Sequence, residues 1–279
     1  MRTGSERLRN ALGQIALAAG ALVMASPLLW MLSTSLKPKT EILKATPRWI
    51  PNPPTLSNYV ELFTRTEEFP VLRWLANSIF VSLSVTILVL FVTSTAAFAF
   101  SRLRFKGRET LFMIAVATLI IPGQVVLIPV FLIVEKLGWF NSYAGLIIPG
   151  LAGAFGVFLL RQFFMTIPEE LEEAAVVDGA SVWTIYWRVI LPLARPALAT
   201  LAIFTFMGAW NDFVWPLIIT NDVTMRTLPV GLAIFQGRYT LDYGLTMAAA
   251  AVCSAPVIVA FLIFQRSITE GIVMTGLKG

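Results

Sequence analysis

The sequence predicts an all-α integral membrane protein whose helices cross the bilayer six times. Three observations predict it: the composition, the length of the apolar runs, and the basic residues at their ends. Of 279 residues, 57% are hydrophobic and 13% charged, and the mean hydropathy is +0.78. Soluble domains carry roughly 45–50% apolar and 25% charged residues. The apolar runs reach the roughly 20 residues that a helix needs to span about 30 Å of hydrocarbon. A net charge of +5 and a pI near 9.6 do not indicate nucleic acid, because the basic residues gather where orientation signals lie. Membrane lipid is the expected surrounding.

Other function classes are excluded by what the chain lacks. There is no histidine, and the single cysteine, Cys253, lies in an apolar run. An intrachain disulfide is impossible, and neither a zinc site nor histidine-based catalysis has residues to work with. No phosphate-binding G-x-x-x-x-G-K-[ST] pattern occurs, nor even one Gly-Lys pair. The chain is therefore expected not to be an enzyme and to hold no metal or cofactor; any ATP that drives it is hydrolysed on another chain.

Arg2, Arg7 and Arg9 precede the first expected span, 11–32. A secretory signal peptide is the rival reading, since Val23-Met24-Ala25 resembles a cleavage site. The run exceeds the roughly 7–15 residues of a signal core, which favours a retained helix. Residues 33–74 are polar and carry six prolines, so they read as a folded loop outside the bilayer. The second span, 78–100, is followed at once by Arg102, Arg104, Lys106 and Arg108. That density of charge in a short loop places it in the cytoplasm. The third and fourth spans, 111–134 and 144–164, are separated by EKLGWFNSY and interrupted by prolines and glycines. Small residues let helices approach, and a kinked helix lining a pathway is the other reading. The fifth and sixth spans are 197–219 and 245–264, with 221–243 as a second outer loop. Alternation puts both termini in the cytoplasm, in one domain covering residues 1–279 with no internal repeat.

Between the fourth and fifth spans lies a charged island, residues 167–192, on the cytoplasmic side. Pro168 suits a first helical position, Thr166 or Ile167 can cap it, and Glu169, Glu170, Glu172 and Glu173 favour the positive end of a helix. Gly179 can take the left-handed conformation that ends a helix. Ser181 caps a second short helix, which Pro192 ends. Leu171, Ala174, Ala175 and Asp178 fall on one helical face, with Glu169, Glu172 and Glu173 on another. Two alanines leave little bulk, so the helix can sink into a partner's cleft; a solvated surface helix is the alternative.

Trp210, Asn211 and Asp212 fall inside the fifth span, and Gln124 inside the third. A carboxylate at membrane depth costs at least about 2.5–3.5 kcal/mol, so Asp212 must face protein, water or a cation. Lining a translocation pathway and making a buried helix–helix hydrogen bond are both open. Asn77, at the outer end of the second span, is a weaker candidate of the same kind.

Residues Glu173 to Pro192 read EAA-VVD-G, nine residues, then V-I-L-P. This resembles the E-A-A-x3-G-x9-I-x-L-P signature of ABC-importer membrane subunits, with Val189 in place of isoleucine. The likeness extends through SLKP at Ser35, P-x-W-x-P-x-P-P-T-x-x-N-Y at Pro47, AFAFSRLRFKG at Ala97, WNDF at Trp210, TLPVGL at Thr227 and the closing GLKG. Together these resemble the maltose-permease G type of the carbohydrate-importer branch.

The resemblance implies a type I ABC importer permease fold and a place in a bacterial or archaeal cell inner membrane. It implies as partners a second, F-type permease, two ATP-binding subunits that hold ATP and magnesium, and an extracytoplasmic solute-binding protein. The cargo implied is a sugar, a disaccharide or oligosaccharide first. Glu173, Ala174, Ala175 and Gly179, with Leu171, would form the coupling contact with the ATPase; the 221–243 loop would meet the binding protein, and the tail would lie against the ATPase pair. An acidic helix in a basic cleft gains charge-assisted hydrogen bonds of about 1.5–3 kcal/mol each. Crowding is expected around Gly179. A channel or secondary transporter without an ATPase is the alternative, and it calls for paired intramembrane charges or inverted repeats, which are not evident here.

Overall fold

A computed structural model describes residues 4–42, 44, 46, 48–64, 69–238 and 242–276. Arg2, Pro47, Arg65 and residues 277–279 of the closing GLKG, including Lys278, lie outside the described residues. Among the described residues every regular element is helical. In order these are α1 (Gly4–Ser35), α2 (Lys39–Ile42), α3 (Ser57–Thr64), α4 (Val71–Arg102), α5 (Arg108–Ala117), α6 (Gly123–Lys136), α7 (Tyr143–Ile147) and α8 (Ala154–Phe164). There follow α9 (Glu170–Val177), α10 (Val182–Ile185), α11 (Leu191–Leu193), α12 (Arg195–Asn211), α13 (Val214–Ile219), α14 (Leu228–Arg238) and α15 (Tyr243–Gly276).

Two helices, Leu12–Ser35 within α1 and α4, are each continuous, long and apolar enough to cross a membrane. The run expected as a third span holds two helices bent by 105° where Pro122 breaks the chain, and the fourth is bent by 45° around Pro149–Gly153. Pro129 stays inside α6, as Pro27 does inside α1 and Pro256 inside α15. The expected fifth span divides too: α12 stops at Asn211 and α13 begins at Val214. Broken helices at such depth are tolerated where protein or water satisfies the freed backbone groups.

One compact unit holds residues 1–71 and 232–255. Its proline-rich loop is clipped by the residues of two sequence motifs. Asn58, fully buried, donates from Nδ2 to Ser35 O at 2.8 Å and Lys37 O at 2.9 Å, and Ser35 shares a 2.8 Å hydrogen bond with the Tyr59 hydroxyl. Lys37 lies 4.1 Å from the centre of the Trp30 ring, and Trp30 meets Trp49 edge to face. Lys39 bridges Glu61 at 3.0 Å and Asp242 at 2.8 Å.

The other unit holds residues 72–231 and 256–279. Toward one end of α4, Val81, Val85 and Val89 pack with Val134, Leu146, Ile147 and Ile219. Toward the other, Ala97 and Phe98 pack with Leu160, Phe164, Ile185, Tyr186, Ile190 and Leu201. Gly156 permits the approach of α8 to α4, since a Cβ there would lie 2.9 Å from Thr93 Cγ2. Asn77 is buried, donates to Thr224 O at 2.8 Å and Arg226 O at 2.9 Å, and accepts from the Tyr143 hydroxyl at 2.7 Å. It is a clamp on the loop before α14, and no pathway role is needed to account for its polarity.

Candidate functional site

The island folds as two short helices around a left-handed glycine. The first, α9, has Glu170, Glu172 and Glu173 in its first turn, where the helix dipole favours them. It begins at Glu170 rather than Pro168, and the Thr166 hydroxyl donates back to Phe163 O at 2.7 Å instead of capping it. Gly179 has a φ of 79°, a conformation that costs other residues roughly 1–2 kcal/mol. The crowding expected there is not present within this chain: a Cβ on Gly179 would meet nothing within 4 Å. Ser181 caps α10, accepting from Thr184 N at 3.2 Å. Pro192 does not end the segment, because helical turns run on through a wide turn at Tyr186–Ile190 to Leu193, before a 78° bend into α12.

The faces of α9 differ from the sequence expectation. Glu172, expected on the outward acidic side, turns inward: its carboxylate is 2.8 Å from Arg102 Nε and its side chain only 17% exposed. Ala175, three residues on, packs against the core around Phe164 and Tyr186. Leu171, Glu173, Ala174 and Asp178 are exposed, as are Val176 and Val177 beside them. The small-residue face is thus split, with Ala175 holding the helix to its own chain and Ala174 facing out. One turn further on, Trp183 and Trp187 are 62% and 54% exposed.

Two polar contacts that the sequence reading missed, at Arg102 and Tyr186, fix the island to α4, and a third, at Arg161, ties α8 to α4 and α5. Arg102, at the end of α4, donates from Nη2 to Phe164 O at 2.7 Å and Ile167 O at 2.6 Å; Glu169 lies 3.7 Å from its Nη1. Burial pushes the Glu172 carboxyl above its ordinary value; Arg102 pulls it down and Glu169 adds to the rise. Tyr186, in the second half of the island, shares a 2.7 Å hydrogen bond with Ser94 of α4. Arg161 of α8 grips both Glu109 oxygens at 2.7 and 2.9 Å and donates to Phe100 O at 3.2 Å. The signal for Arg102 is its place at the end of a span inside the AFAFSRLRFKG match, a place that an orientation signal also occupies.

The four residues expected along a pathway do not converge. Asp212 lines a cavity of about 360 Å³ with Gly123, Thr205, Gly208 and Trp215. It sits at the break between α12 and α13, where its carboxylate accepts from Trp215 N at 3.4 Å. Trp210 is buried and stacked on Phe206. Asn211 is exposed, donating to Met207 O at 2.9 Å, and Gln124 is exposed beside Gly123.

The chain thus presents an anchored two-helix island and, separately, a half-open cavity reached by Asp212. This chain belongs to the family described as binding-protein-dependent transport system inner membrane component, which matches residues 90–273. It is 32% identical over 261 residues to the arabinooligosaccharides transport system permease protein AraQ of Halalkalibacterium halodurans, covering 93% of each chain. It is 35% identical over 276 residues to the trehalose/maltose transport system permease protein MalG of Thermococcus litoralis, covering 96% of this chain and 98% of the other. A crystal structure of a bacterial ABC transporter that imports the acidic polysaccharide alginate contains a chain of the same fold. Its TM-score is 0.82 at 26% identity, over 95% of this chain and 98% of that one. The protein is a carbohydrate ABC importer permease of the inner membrane, and its role is transport rather than catalysis.

Proposed function

We propose that this chain is one of two homologous permeases in an ATP-driven importer of a disaccharide or oligosaccharide, fed by an extracytoplasmic solute-binding protein. Six spans, about 11–32, 78–100, 111–134, 144–164, 197–219 and 245–264, put both termini and the 167–192 island in the cytoplasm. Closure of two ATP-binding subunits, which hold ATP and magnesium, enters this chain at the island. Leu171, Glu173 and Ala174 meet the ATPase, Gly179 sets the angle between the two short helices, and Ala175 seats the first of them. The 221–243 loop meets the binding protein, and Asp212 faces the cargo path. The oligosaccharide and disaccharide names of the relatives support the cargo class.

The observation that carries this reading is Arg102. It joins the end of a long apolar helix to the Ile167 carbonyl and the Glu169 and Glu172 carboxylates of the island, so a push on the exposed face of α9 reaches α4. Packed elements of this kind move as rigid bodies. The test is a cysteine cross-link from Ala174→Cys to the ATPase subunit in the assembled transporter, alongside sugar uptake in proteoliposomes. A cross-link that blocks ATP-driven uptake is expected. Uptake by vesicles holding this chain without any ATPase would refute the proposal and favour a channel or secondary transporter.

A further inference from the structure

The geometry points to a binding site for the phosphodiester headgroup of an anionic phospholipid in the turn between α4 and α5. An open hollow of about 530 Å³ is lined there by Arg104, Phe105, Gly107, Arg108, Glu109 and Thr110. Arg102 of the same basic run is taken up by the island, and Arg108 is partly spent on Leu103 O and Glu109. Arg104 and Lys106 are different: both are exposed, and neither has an ion-pair partner among the described residues. The acid in the hollow does not answer them, because Glu109 is held by Arg161 at 2.7 and 2.9 Å and by Arg108 at 3.2 Å. Arg104 in the hollow, and Lys106 on the same turn outside its lining, are therefore left for an outside anion.

Phe105 lies between them in sequence, 41% exposed, its ring leaning on Phe100 at 6.0 Å. An exposed apolar ring beside Arg104 in the hollow, with Lys106 next in sequence, at the end of a membrane-length helix matches a lipid, with phosphate at the charges and acyl chain at the ring. A free anion would gain nothing from the ring. Gly107, at a φ of 81°, makes the turn that sets Arg104 and Arg108 around one hollow. The inference needs only the membrane setting, and it stands or falls apart from the coupling role of the island.

The test is native mass spectrometry of the full chain in neutral detergent with added phosphatidylglycerol or phosphatidylcholine. Each basic residue at an anionic surface is worth about fivefold in partition, so the double variant Arg104→Gln/Lys106→Gln should retain about 25-fold less phosphatidylglycerol. Phosphatidylcholine retention should be unchanged, and Arg104→Lys should keep most of the anionic preference. Phe105→Ala should weaken retention of the lipid but not of inorganic phosphate. Undiminished phosphatidylglycerol in the double variant overturns the proposal, as does complete displacement by equimolar inorganic phosphate, which would assign the cations to a free anion. Loss of a co-purifying ATPase subunit with lipid retention intact would assign them to a protein partner and equally overturn it.

Discussion

Replacing Arg102 by alanine should free the first island helix without unfolding the chain. The guanidinium, 6% exposed, makes two hydrogen bonds to backbone carbonyls and lies 2.8 Å from a carboxylate that is itself 17% exposed. Two charge-assisted hydrogen bonds at about 1.5–3 kcal/mol each agree with the roughly 3–5 kcal/mol lost when a buried pair loses one partner. At about 1.4 kcal/mol per decade, local opening of α9 should rise by about two to three orders of magnitude. Hydrogen exchange of residues 170–178 in the assembled transporter reads this directly. Arg102→Lys should fall between, because one ammonium cannot serve both carbonyls and the carboxylate. Losing Arg102 also removes the one charge that pulls Glu172 down, so its carboxyl rises further. A carboxyl raised in the folded state binds its proton more tightly there than when unfolded. Its stabilising effect is complete below the ordinary value of 4.5 and is lost as pH rises through the folded value. The defect of Arg102→Ala should therefore shrink on acidification, and adding Glu172→Gln should relieve it at neutral pH. Unchanged exchange in α9, or a defect that deepens in acid, would refute the reasoning.

Three further outcomes are expected. Gly179→Ala should cost about 1–2 kcal/mol through its φ of 79°, with Gly179→Asn milder and Gly179→Val worse, measured as thermal stability and as ATP-driven uptake. Asn77→Ala leaves two carbonyls and the Tyr143 hydroxyl unanswered, so about 2–4 kcal/mol should be lost, and proteolysis between α13 and α14 should accelerate. Asp212→Asn keeps an acceptor for Trp215 N, so insertion should be normal; if Asp212 faces the cargo as proposed, uptake should fall about 10–100-fold, the worth of one charge-assisted hydrogen bond.

Local grammar was legible in the sequence because its causes are local. The acidic first turn of α9, the glycine stop and the Ser181 cap each depend on a few neighbouring residues, and each is present. The interruptions at Pro122 and around Pro149 were visible as residue types, but their bend angles depend on packing. Which face of α9 looks inward was not legible. A helical wheel separates faces without saying which one meets its own chain, and Arg102, sixty to seventy residues upstream, decides it. The same limit applies to Trp210 and Asp212: two residues apart, one is locked in the core and the other lines a cavity, because the helix ends between them.

Asn77 and Arg102 sit near opposite ends of one unbroken helix, twenty-five residues apart. At 1.5 Å per residue that is roughly 37 Å. A swing of about 4° at one end shifts the other by about 2.6 Å, close to the length of a hydrogen bond. One helix carries both the clamp on the loop before α14 and the clamp on the first island helix, and a rigid helix transmits such a swing from one to the other. If a partner that grips one of them changes the other's affinity for its own partner, thermodynamic reciprocity makes the effect mutual and equal.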